Sequence, residues 1–170
     1  MRTFILGGVR SGKSRYAEQL ARSLAKHVTV IATGSAQDEE MAARIEAHRR
    51  RRPPDWRVIE EPTRLAAALR TAANPAGVVI VDCLTLWLSN LLCSDDESAV
   101  HRETGALFET LTTLPGDCIV VSNEVGLGII PMNALARRFG DDAGVLHQRV
   151  AAICDRVVLM VAGLALDVKG

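Results

Sequence analysis

Neither sign of charge prevails in this chain: Lys plus Arg number 20 and Asp plus Glu number 20, for a formal net charge of +0. A domain whose main task is to coat nucleic acid is usually strongly basic, so no nucleic-acid partner is expected. The four cysteines, Cys83, Cys93, Cys118 and Cys154, are widely scattered. None stands in a C-x-x-C pair or at zinc-finger spacing from a histidine, so no structural zinc site is expected. Cys83, Cys118 and Cys154 adjoin apolar runs, where a free cysteine behaves as a small hydrophobe, and buried reduced thiols suit a reducing cytoplasm. The apolar run near Met1 is too short for a signal peptide, and no stretch reaches the length needed to span a bilayer. Internal repeats and low-complexity linkers are also missing. With 170 residues, the chain is expected to form one domain, residues 1–170, with a core that needs neither disulfides nor metal.

Short β-branched runs alternate with longer amphipathic ones, the pattern of an α/β domain with a mainly parallel sheet between layers of helices. Strands are predicted at Thr3 to Leu6, Val28 to Thr33, Trp56 to Glu60, Val78 to Asp82, Cys118 to Ser122 and Arg156 to Val161. A last short strand is placed around Leu164 to Val168. Helices are predicted at Lys13 to His27, Asp38 to about Arg50, Thr63 to Ala73 behind a Pro-Thr cap signal, and Leu84 to Leu92. Two more run from the polar loop Ser94–Ser98 to about Leu114, and from Asp141 to Cys154.

Between the first strand and the first helix stands Gly7-Gly8-Val9-Arg10-Ser11-Gly12-Lys13-Ser14, which fits G-x-x-x-x-G-K-[ST] in the strand–loop–helix setting that this motif requires. Its glycines allow a tight turn that aims backbone N–H groups at phosphate oxygens, and the positive end of the helix dipole adds to them. Lys13 is positioned to reach the β- and γ-phosphates of a purine nucleoside triphosphate, and Ser14 to offer a hydroxyl to Mg²⁺. The carboxylate that completes such a site usually ends a neighbouring buried strand. Asp82, after Val78-Val79-Ile80-Val81, is the first candidate and Glu124 the second.

Arg49, Arg50, Arg51 and Arg52 follow His48 directly. The run can be read as a solvated basic helix end with His48 packed beneath it, or as a nucleic-acid patch, though Trp56 is the one aromatic nearby. It can also be read as a nucleotide site, in which arginines grip phosphates and neighbouring cations keep His48 neutral, with a ring nitrogen free to attack phosphorus. Residue chemistry alone leaves all three open. Beside them stand two wider alternatives for the chain: another small-molecule kinase on the phosphate-loop scaffold, and a nucleotide switch that transfers nothing.

The chain resembles the bifunctional adenosylcobinamide kinase/adenosylcobinamide-phosphate guanylyltransferases of cobalamin assembly, nearly end to end. The marks are the phosphate loop through Arg15, Ile31-Ala32-Thr33, Glu40 through His48, Arg52-Pro53 with Trp56-Arg57, Asp82-Cys83-Leu84-Thr85, Asn90-Leu91-Leu92, and Ser122 through Pro131. The resemblance implies two reactions at one nucleotide site. First the γ-phosphate of ATP or GTP passes to the hydroxyl of adenosylcobinamide. Then a histidine, which falls on His48, attacks the α-phosphorus of GTP, expels pyrophosphate and hands GMP to adenosylcobinamide phosphate. It also implies nucleotide contacts at Thr33, Gly34, Ser35, Arg49, Arg50, Arg51, Arg52, Glu60 and Asp82, with Glu60 and Asp82 open between guanine, ribose and Mg²⁺. A homo-oligomer is implied as well. The corrinoid acceptor is expected between subunits or on loops such as Gly126 to Pro131.

Overall fold

The computed structural model describes residues 1–24, 27–35, 39, 43, 46, 49, 50 and 52–170. Strands form at β1 (Arg2–Gly7), β2 (His27–Ala32), β3 (Arg57–Glu60), β4 (Gly77–Val81), β5 (Asp117–Val121), β6 (Arg156–Val161) and β7 (Leu164–Lys169). Helices form at α1 (Lys13–Leu24), α2 (Leu65–Ala72), α3 (Leu84–Leu92), α4 (Ala99–Thr113) and α5 (Ala134–Ile153). The strands make one sheet in the order β3-β2-β4-β5-β1-β6-β7. Every pairing is parallel except that of β7 with β6, so the mainly parallel α/β reading holds.

Both faces of the sheet are covered, which is why β4 reads as an unbroken apolar run and is buried at every position. On one face Phe4, Leu65, Leu88, Leu107 and Leu146 join the sheet to α2, α3, α4 and α5. On the other, Ala17 and Ala21 of α1 pack with Ile5, Val30, Ile80 and Trp56. Small alanines on the buried stripe of α1 bring that helix close to the sheet, directly after the phosphate loop.

Several boundaries differ from the sequence reading. Helix α1 ends at Leu24 and His27 already pairs with Gly77 in β2. Helix α2 takes no side-chain cap from its own N-cap residue, Arg64. Instead the Glu61 carboxylate accepts the backbone N–H groups of Thr63 (3.0 Å) and Arg64 (2.8 Å). Burial works to raise that carboxyl, but these bonds and the nearby Arg64 charge outweigh it and hold it below the ordinary value. Helix α5 begins well before Asp141, at Ala134, with the Asn133 side chain accepting from Ala136 N at 3.1 Å. Gly140 lies inside the helix at a cost of about 1 kcal/mol relative to alanine. Strand β7 is a full hairpin partner of β6, joined through Ala162 (φ 52°) and Gly163 (φ 85°), the paired positive φ values of a tight hairpin turn.

Candidate active site

The chain leaves β1 at the carboxyl edge of the sheet and crosses over β5 and β4 to reach β2. That edge, where strand order turns, is where open parallel sheets bind ligands. The loop there is held in a conformation that few residues tolerate. Gly7 has φ 153° and Gly12 φ 99°; a Cβ on Gly7 would stand 2.5 Å from the Met160 carbonyl oxygen. Arg10 takes the left-handed region (φ 56°) without being glycine, a strain of order 1 kcal/mol that the surrounding bonds must hold. Those bonds run from Ser11 N to Gly8 O (3.3 Å) and from Gly163 N, in the β6–β7 turn, to Ser11 O (3.0 Å). The bond from Tyr16 N to Gly12 O (3.0 Å) starts α1.

Gly8, Val9 and Arg10 form the exposed rim of the loop, while Ser11 and Lys13 are buried and Ser14 is half-buried. Lys13 Nζ donates to Gly8 O at 2.6 Å, so the ammonium folds back over its own loop. Burial pushes it below the ordinary lysine value. Ser11 Oγ is buried and, among the described residues, has no hydrogen-bond partner. An orphaned hydroxyl and a desolvated ammonium in one backbone cradle are chemically suited to an anion.

Facing Ser14 across a small cleft stands Asp82, just past the end of β4, with Arg52 beside it. The Arg52 guanidinium donates to Asp82 Oδ2, and its side chain is only 9% exposed against 25% for Asp82. The cleft holds about 10 Å³ between Ser14, Glu18, Arg52 and Asp82, roughly the room one water-sized particle needs. Among the described residues no three His, Cys, Asp or Glu side chains cluster to hold a metal unaided. A hydroxyl and a carboxylate are hard oxygen donors of the kind that hold Mg²⁺ together with substrate phosphates.

The remaining candidates divide. Thr33 is buried and spends its hydroxyl on Cys83 O (2.6 Å), while its own carbonyl accepts from Asn90 Nδ2 (2.8 Å). Gly34 is half-buried and Ser35 exposed beyond it. Glu124 is tied to the loop by its backbone, N to Gly7 O at 3.0 Å, but its carboxylate accepts from Gly126 N at 2.6 Å. Glu60 ends β3 at the sheet margin and is exposed. Glu39, Ala43, Glu46, Arg49 and Arg50 are helical and exposed, and Arg50 pairs with Glu46 at 3.0 Å, a solvated i,i+4 pair worth a few tenths of a kcal/mol. His48 and Arg51 lie outside the described residues.

Two polar groupings lie behind the edge. Cys83 Sγ lies 2.9 Å from Thr85 Oγ1, and Asn123 Nδ2 donates to that same hydroxyl at 3.0 Å. This links the ends of β4 and β5, and burial pushes the Cys83 thiol up. His147, buried on α5, places Nε2 2.8 Å from Ser122 Oγ and its ring 5.6 Å from that of Phe4. Burial lowers its pKa, with the Glu124 charge opposing. Neither could be found from spacing: Ser122 and His147 are 25 residues apart and meet only because α5 packs back across β5 and β1.

The family model for cobinamide kinase / cobinamide phosphate guanyltransferase matches residues 3–168. Among curated proteins, the bifunctional adenosylcobalamin biosynthesis protein CobP of Pseudomonas aeruginosa is 54% identical over 100% of this chain and 98% of its own length. CobU of Escherichia coli, with the same description, is 38% identical over 99% of this chain and 100% of its own. Among solved structures, one ATPase domain superposes with TM-score 0.53 at 14% identity, over 93% of this chain and 68% of that one. A prototypical ATPase of the type III secretion system of pathogenic bacteria gives TM-score 0.54 at 14% identity, over 98% of this chain and 56% of that one. At such identities these two likenesses show the fold alone.

Proposed function

The chain belongs to the cobinamide kinase / cobinamide phosphate guanyltransferase family, a family of transferases, and from that premise we propose that one nucleotide site serves both of its reactions. The observation that carries this reading is the cradle of Gly7–Ser14, with Lys13 buried in it and Asp82 facing Ser14 across the cleft.

In the kinase step Gly7, Gly8, Val9, Arg10, Ser11 and Gly12 present backbone N–H groups to the β- and γ-phosphates. Lys13 exchanges its bond to Gly8 O for a phosphate oxygen. Ser14 and Asp82 would hold Mg²⁺, which would supply charge neutralisation to the phosphates. The acceptor hydroxyl attacks the γ-phosphorus, the bond to the β-phosphate oxygen breaks, and the nucleoside diphosphate leaves. Most of the rate comes from positioning and from charges set in place beforehand.

In the guanylyl step a ring nitrogen of His48 attacks the α-phosphorus of GTP and pyrophosphate leaves. A phosphate oxygen of the phosphorylated acceptor then displaces the histidine, giving adenosylcobinamide-GDP. Covalent catalysis thus divides the transfer into two in-line displacements. Arg49, Arg50, Arg51 and Arg52 flank the nucleotide, and Thr33, Gly34, Ser35 and Glu60 line its base and ribose side.

A homo-oligomer in the cytoplasm belongs to this reading. Its support is β7, the margin of the sheet, where Leu164, Leu166 and Val168 are 74%, 58% and 62% exposed. Among the described residues no helix is long and apolar enough to cross a membrane.

The kinase half is tested with γ-labelled GTP and cobinamide. Lys13→Ala is expected to lower the rate of label transfer by roughly 10²–10³ while the variant still melts cooperatively. Transfer at the wild-type rate by a folded Lys13→Ala protein would sink the assignment.

A further inference from the structure

We propose that the exposed apolar strip between β5 and α5, together with the groove it leads to between α3 and α5, seats the macrocycle of the corrinoid acceptor. The inference rests on the kinase reading above and assigns the acceptor half of that site.

The strip starts at the phosphate loop itself. Glu124 N donates to Gly7 O at 3.0 Å, and the Glu124 carboxylate then fixes the first turn by accepting from Gly126 N at 2.6 Å. From there Leu127, Ile129, Ile130 and Met132 follow at 87%, 98%, 78% and 96% exposure. The upper end is also pinned, because Arg137 Nη1 donates to Pro131 O (3.0 Å) and Met132 O (2.6 Å). The strip is therefore anchored at both ends, with its apolar side chains turned to solvent. Soluble proteins rarely leave so many large apolar groups together without an occupant.

Its direction follows from α5. His147 sits against Ser122 at the carboxyl end of β5, and the chain reaches the opposite edge by Asp155, whose N–H meets Arg2 O at 2.9 Å. The part of α5 from Ala134 to His147 must then rise about 20 Å beyond the sheet edge, at about 1.5 Å per residue. Residues of α5 are fully buried only from Ala143 onward, although Phe139 already packs against the core. The strip climbs this projecting wall from the phosphate loop to a groove of about 300 Å³, lined by Ser89, Leu92, Cys93, Asn133, Leu135 and Phe139.

A corrinoid matches this surface. It is a broad rigid macrocycle with a methyl-rich rim and amide arms, and one arm must bring its hydroxyl to the γ-phosphate. A flat apolar wall rising from the phosphate loop supports the ring while leaving that arm at the loop. At the groove, the Ser89 hydroxyl and the Asn133 amide nitrogen suit the amide arms, since the Asn133 oxygen is already spent on Ala136 N. A second copy of this chain is the rival occupant.

Cys93 reports on the groove without any mutation, because it is exposed while Cys83, Cys118 and Cys154 are buried. With the intact protein saturated in Mg²⁺ and a non-transferable GTP analogue, cobinamide is expected to slow iodoacetamide alkylation of Cys93 at least five-fold. The double variant Ile129→Ser/Ile130→Ser, altered only at exposed positions, is expected to raise the cobinamide Kd at least ten-fold and leave GTP affinity unchanged. Cobinamide that binds the wild type without slowing alkylation, and binds the double variant as tightly, overturns the site but not the kinase reading. No cobinamide binding by the wild type overturns both. Alkylation slowed by raising protein concentration and not by cobinamide gives the strip to a second copy and overturns the proposal.

Discussion

The Arg52 guanidinium is bonded to the Asp82 carboxylate at the mouth of the phosphate cleft, so the carboxylate proposed for Mg²⁺ already has a cationic partner. Arg52 is nearly buried, and a buried charge left without its partner is destabilising. Mg²⁺ and the guanidinium must therefore share Asp82 or exchange on it, and the exchanged Arg52 lies beside the phosphates.

Asp82→Asn is expected to lower stability by about 1–3 kcal/mol, since it leaves Arg52 with a neutral acceptor. It is also expected to weaken the Mg²⁺ dependence of GTP binding. Urea denaturation reads the first effect and a Mg²⁺ titration of nucleotide affinity the second. Full stability with unchanged Mg²⁺ dependence would remove Asp82 from the site.

Two neighbouring glycines give opposite expectations. Gly7→Ala places a Cβ 2.5 Å from Met160 O at φ 153°, and should cost about 1–3 kcal/mol and most of the GTP affinity. At Gly8 a Cβ would meet nothing within 4 Å, so Gly8→Ala should melt within about 0.5 kcal/mol of wild type. Equal melting temperatures for the two variants would contradict the loop geometry.

The phosphate loop could be read from sequence because all of its parts are consecutive, and strand, loop and helix had to agree around Gly7–Ser14. The buried strand β4 was equally plain, since a strand covered on both faces carries no polar residue. What could not be read was made by packing. The Ser122–His147 contact needs α5 folded back over β5. The early start of α5 was hidden because residues 134–142 lie largely past the core, with Phe139 packed against it, and so show no full apolar stripe. The Asn133 cap was its one local signal. The pairing of Arg52 with Asp82 joins residues 30 apart, and no spacing rule reaches that far.

His147 gives stability a pH dependence of known sign. Burial depresses its folded-state pKa below the unfolded value of about 6.5. Its contribution is complete above the unfolded pKa and is lost as pH falls toward the folded one, because only the unfolded chain takes up the proton there. Wild type should therefore lose stability between about pH 7 and pH 5.5 more steeply than His147→Gln, which removes the titrating group. Chemical denaturation across that range checks it, and parallel slopes would contradict it.

Thiol reactivity should follow burial. Burial pushes Cys118 and Cys154 up to about 12, and Cys83 is raised for the same reason. A disulfide reagent at pH 8 should titrate one thiol, Cys93, in the native protein and all four after denaturation. Two or more fast thiols in the native state would mean that the core is more open than described.

The most direct measurement is incubation of the protein and its His48→Ala variant with Mg²⁺ and α-labelled GTP, followed by a search for protein-bound label. Acid-labile, alkali-stable label on the wild type and none on the variant is the predicted result, because the guanylyl step passes through a phosphorus–nitrogen bond to His48. GTP bound by both proteins with label on neither would contradict it and leave a phosphate-loop kinase without the second transfer.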